Sequence, residues 1–100
     1  MDLQFLKDQI EDELCDSKKY AKLAIELKPM TDAWSKKFYE MSTDEHKHAT
    51  ALYAMFNEYY TKVSANVESM PAYATDLCSE VSEIFATHTA VIKELWSIYK

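Results

Sequence analysis

A chain of 100 residues makes one domain, 1–100, with a modest core, so its stability leans on association or on metal. It contains no glycine and only two prolines, Pro29 and Pro71, too few breakers for the many turns of a β-rich fold, and the expectation is all-α. A net charge of −6, from 17 acidic and 11 basic residues, argues against nucleic acid or an anionic membrane as partner.

Read in chain order, the prolines divide the sequence into three helical segments, about 3–28, 32–63 and 71–99. The first carries a stripe in alternating steps of three and four: Leu3, Leu6, Ile10, Glu13, Ser17, Tyr20, Ala24 and Leu27. Asp2 is placed to cap it and Pro29 to end it. The second has the stripe Trp34, Phe38, Met41, Glu45, His48, Leu52, Met55, Tyr59 and Val63. Ser42-Thr-Asp-Glu45 matches a capping box, which would start a helix at Ser42. The stripe crosses it without a change of phase, so one continuous helix is expected. The third begins after Pro71 and shows Leu77, Val81, Ile84, His88, Val91, Leu95 and Ile98. No apolar run is long enough for a membrane span, and the start of the chain gives no secretory signal. Cys15 and Cys78, far apart in helical patterns, read as free thiols in a reducing cytoplasm.

The informative positions are those where the stripes turn polar. An unpaired carboxylate at a seam costs several kcal/mol, so such groups are normally paired, neutralised or bound to metal. Glu13 stands 16 residues before Pro29, and Glu45 about 15 after the turn near Pro29 and Met30. On antiparallel helices both lie roughly 24 Å from the turn, at 1.5 Å per residue. Glu45-x-x-His48 puts a carboxylate and an imidazole one turn apart on one face, able to grip the same ion. Oxygen ligands plus imidazole suit iron, with manganese as the other ion. Glu-x-x-His alone arises by chance in many helices; a Glu at equal depth on the preceding helix makes it specific. The bland alternative is a polar cluster that fixes helix register, but no Lys or Arg occupies a seam position to compensate the carboxylates.

The segment Tyr39-Glu-Met-Ser-Thr-Asp-Glu45-His-Lys-His48-Ala-Thr-Ala-Leu52 resembles the metal-binding second helix of ferritin-like and rubrerythrin-like proteins. Glu13-Leu-Cys-Asp-Ser-Lys-Lys-Tyr20-Ala-Lys-Leu-Ala24 is similar to their first helix, with an aromatic seven residues after a ligand Glu. The resemblance covers residues 3–63. It implies a long antiparallel helical hairpin, metal ligands Glu13, Glu45 and His48, and a catalytic role for Tyr20 beside iron, where the residue read on its own is equally a core aromatic with its hydroxyl bonded. Full-length relatives carry the ligand set twice on four helices. Here one helix remains after Val63, and it has no Glu-x-x-His. The expectation is therefore a homodimer or assembly of dimers, forming a ferritin-like four-helix bundle with one di-iron centre per dimer. Glu45 is the favoured bridging ligand, because the adjacent His48 anchors each metal separately.

The remaining residues read more simply. His88 is expected to be a satisfied interior histidine, His46 a solvated one, and Glu11, Asp12 and Asp16 surface charge. Small Ser17 is expected to leave room for an oxidant beside the metals. No Gly-rich loop or activated nucleophile supports hydrolase chemistry. Three functions compete: a ferroxidase-type di-iron oxidase, a non-enzymatic helical assembly module with a structural or vestigial metal site, and passive metal binding.

Overall fold

A computed structural model describes residues 2–65 and 72–100. Its three helices are α1 (Leu3–Leu27), α2 (Asp32–Ala65) and α3 (Ala72–Tyr99). The Asp2 carboxylate accepts from the Phe5 amide at 2.9 Å, which satisfies one of the amide donors left over at a helix start. At the other end the Leu27 carbonyl accepts from both Met30 and Thr31, closing the turn without any residue of positive φ. Thr31 Oγ1 then accepts from the Trp34 amide, so the next helix is capped as soon as the chain has reversed. The start of the third helix at Pro71 lies outside the described residues.

The α2 helix runs unbroken through Ser42–Glu45. Its capping-box serine is spent elsewhere, since Ser42 Oγ donates across to the Ser17 carbonyl on α1. The molecule is a rod of 58 × 19 × 15 Å. Large side chains fill one end of it: Leu3, Leu6, Ile10 and Leu14 meet Phe56 of α2 and Ala74, Leu77 and Val81 of α3. Toward the Pro29 turn the α1–α2 contact is made of small residues instead, Ser17, Ala21 and Ala24 against Ser35 and Ser42. Without bulky side chains between them the backbones approach closely, and Ser35 Oγ reaches the Ala24 carbonyl at 2.6 Å. We expect Ala24→Leu to destabilise the protein by about 1–3 kcal/mol, because the site has no space for three more carbons. Urea unfolding followed by far-UV circular dichroism would measure it.

The burial corrects the sequence reading of the seams. On α2 the buried set is Ser35, Ser42, Ala49 and Phe56, one residue after Trp34, Met41, His48 and Met55. One residue is about 100° of helix rotation, so the apolar stripe lies at the edge of the α1–α2 contact. Trp34, Met41 and Met55 are 63%, 41% and 46% exposed. On α1 the centre is likewise Leu14 and Ala21, with Glu13 and Tyr20 half-buried beside it. The α3 helix packs through Leu77, Val81 and Ile92, and Val91 and Ile98 of its expected stripe are exposed. Lys7 ties it to α1, pairing with Glu80 at 3.3 Å; the hydrogen bond that the Lys7 ammonium donates to Glu80 holds its pKa above the usual value. No described helix is long and apolar enough to cross a membrane.

Candidate metal centre

Glu13 from α1 and Glu45 and His48 from α2 converge at one level of the hairpin. Each offers a ligand atom, and these atoms all lie within 4.8 Å of one another. His48 Nδ1 stands 3.6 Å from Glu13 Oε2 and 3.8 Å from Glu45 Oε2. Those separations are too long for hydrogen bonds. They suit a shared cation: ligands about 2.1 Å from one ion lie roughly 3 Å apart at right angles and about 4.2 Å apart when opposite.

The environment points the same way. Glu13 Oε2 is buried and has no hydrogen-bond partner. A buried carboxylate oxygen left in that state carries its full desolvation cost. Among the described residues no lysine comes within ion-pair reach of Glu13 or Glu45, and their pairing is with His48 alone. Two hard carboxylates and an imidazole fit a divalent ion such as iron. The centre is not enclosed, however. The two Glu side chains are 24% exposed, but the His48 side chain is 60% exposed and stands on the same α2 stripe as Met41 and Met55. One chain therefore presents these three candidate ligands along an open edge.

Around the cluster, Ser17, His46 and His88 fall into place differently from their sequence reading. Tyr20 sits two turns beyond Glu13 and stacks on Phe38, with ring centres 5.9 Å apart. Ser17 opens no space near Glu13: it is fully buried and bonded to Ser42. His46 is half-buried instead of solvated, its Nε2 lying 3.0 Å from Thr89 Oγ1 and its ring edge-on to Trp96 at 5.4 Å. Burial holds its imidazole below the usual pKa, and the charge of Lys93 adds to this. His88 Nδ1 is buried without a hydrogen-bond partner, so this histidine is not the satisfied one expected. Burial lowers its pKa too, helped by Lys18 and opposed by Glu11. His88 stands apart from the three-residue cluster. The ties from Ser42 and His46 to α3 escape sequence reasoning because they depend on which face of α2 the third helix covers. The heptad spacing of Ser35, Ser42, Ala49 and Phe56 was the available signal.

No curated protein and no solved structure matches the chain. A family model described as Rubrerythrin matches residues 4–94. A match of that extent, running through Glu13, Glu45 and His48 alike, means that the chain belongs to the rubrerythrin family of iron-binding, ferritin-like proteins.

Proposed function

We propose that the protein is a di-iron carboxylate protein with ferroxidase-type activity, its centre completed by a second copy of the chain. The observation that carries this reading is the open-edged cluster of Glu13, Glu45 and His48 with a buried Glu13 oxygen that makes no hydrogen bond. Two such edges facing each other across a two-fold axis would supply four carboxylates and two imidazoles, enough for two ions. The exposed Trp34, Met41 and Met55 on the same face of α2 give a second copy apolar surface to cover on both sides of the ligands. Manganese is the alternative ion for the same donors. The free thiols of Cys15 and Cys78 suit a reducing, cytoplasmic setting.

Iron bound here would supply one-electron redox chemistry, with dioxygen or peroxide as the electron acceptor. The side chains do the rest. Glu13 and Glu45 would offset the metal charge and favour the higher oxidation state, and His48 would supply the imidazole ligand. Tyr20 is assigned a supporting role through its phenol hydroxyl. Tyr20→Phe is therefore expected to leave metal affinity unchanged and to slow iron oxidation on the order of tenfold, a barrier change of about 1.4 kcal/mol. Single-turnover kinetics on iron-loaded protein would check it.

The reading as a whole is tested by anaerobic titration with Fe(II) followed by exposure to air. Saturation at one iron per chain, with oxidation faster than in buffer, is expected. Saturation without any gain in rate would favour a structural metal site, and absence of binding would overturn the metal centre itself.

A further inference from the structure

We propose that Ser42 is a positioning residue for the metal centre, held by Ser17 from α1 and Trp96 from α3, so that the third helix sets the spacing of Glu13 and Glu45. The proposal rests on the reading of that cluster as a metal site. Ser42 lies one turn before Glu45, and Ser17 one turn after Glu13. Because α1 and α2 are antiparallel, the two serines meet about 5–6 Å along the rod from the carboxylates, at 1.5 Å per residue.

Their bonding is reciprocal. Ser17 Oγ donates to the Ser42 carbonyl at 2.8 Å, and Ser42 Oγ donates to the Ser17 carbonyl at 2.7 Å. Both residues are fully buried. Each carbonyl uses a second lone pair for this, beyond the one engaged in its own helix. Trp96 Nε1 then donates to Ser42 Oγ at 2.8 Å, which fixes the direction of that hydroxyl and leaves its proton for Ser17. Every donor in the set has one acceptor, and α1, α2 and α3 are joined at a single point.

Other hydroxyls of α2 show what a serine or threonine does here when nothing is asked of it. Thr50, Thr61 and Ser64 each turn back onto the carbonyl four residues earlier in their own helix. Ser42 crosses to another helix instead. A second tie follows the same route, since His46, the residue after Glu45, packs on Trp96 and bonds to Thr89 of α3. The turn of α2 that carries Glu45 is thus gripped from behind by both neighbouring helices. Its carboxylate is presented to the open edge from a backbone that cannot slide along α1.

Ser35 provides an internal control. It makes the same kind of buried crossing bond, to Ala24, but lies ten residues from Glu45, toward the Pro29 turn. Co(II) is a suitable probe, because its visible d–d bands report coordination geometry without turnover. In full-length protein held well below each variant's melting temperature, Ser42→Ala and Trp96→Phe should weaken Co(II) binding about tenfold or more. Both should also change the band intensities, and Ser35→Ala should lower stability while leaving affinity and bands as in the parent. A parent that binds Co(II) alongside Ser42→Ala and Trp96→Phe proteins with unaltered affinity and spectrum would overturn this proposal alone. Equal changes from Ser35→Ala would overturn it too, by showing a general loss of packing. A parent that binds no Co(II) would overturn the metal-centre reading and this proposal with it. If Ser42→Ala fails to fold, Trp96→Phe decides, since it leaves both serines in place and removes the N–H donor while keeping a six-membered aromatic ring in the contact.

Discussion

Glu45→Ala is expected to remove the acceleration of iron oxidation entirely and to leave a folded, helical protein. On the proposed reading Glu45 is one of three ligands that the described residues of each chain bring together, and in a two-fold dimer its loss takes two carboxylates from the centre at once. Iron affinity should fall by at least the roughly 10–100-fold that loss of a mere outer partner costs at a metal site. The fold has no comparable need of the residue. Its side chain is partly exposed, and its partner His48 is mostly exposed. Removing a crowded carboxylate from beside Glu13 relieves a cost in the metal-free protein. Thermal scans should therefore show an unchanged or raised melting temperature without iron, and loss of the rise that iron confers on the parent by binding only the folded state. A Glu45→Ala protein that oxidised Fe(II) as fast as the parent would show that this carboxylate has no part in the chemistry.

The largest effect on stability is expected from Phe56→Ala. Phe56 is the bulkiest fully buried side chain among the described residues, and it belongs to the core cluster with Leu3, Leu6 and Ile10 of α1 and Leu77 and Val81 of α3. Truncation should cost about 3–5 kcal/mol, from lost transfer energy and from the cavity left behind. Against a total of roughly 5–15 kcal/mol for a small domain, that is a large share. The melting temperature should drop by more than about 10 °C. Its neighbour Met55 makes the informative comparison, being close to half exposed. Met55→Ala should change the stability of the isolated chain little and weaken self-association measurably. Equal destabilisation by the two substitutions would contradict the burial pattern.

The elements with local causes were legible in the sequence. The Asp2 cap, the stop at Pro29 and the continuity of α2 through Ser42 depend on residues within a turn or two of each other. The meeting of Glu13, Glu45 and His48 was legible as well, because equal depth on antiparallel helices needs only the position of the turn. The face on which α2 meets its own chain was not. Hydropathy gives weight to Trp34, Met41 and Met55, whereas the contact is made by Ser35, Ser42, Ala49 and Phe56. Small residues add little to an apolar stripe, yet they allow the backbones to approach. An apolar stripe also does not tell whether the surface that covers it belongs to the same chain. His46 was misread for a related reason: it is solvated on α2 alone, and only the Phe85–Trp96 face of α3 encloses it. His88 depends on the same unseen register.

Completion of the centre by a second chain is tested most directly by the mass of the iron-bound species. Light scattering or native mass spectrometry would be run on protein at micromolar concentration with one equivalent of Fe(II) per chain, under anaerobic conditions. The expected result is a species of twice the 11.6 kDa chain mass, or a multiple of that dimer, carrying two irons per pair of chains. His48→Ala should shift it toward metal-free protein. A stable 11.6 kDa monomer that holds its iron would contradict the shared centre.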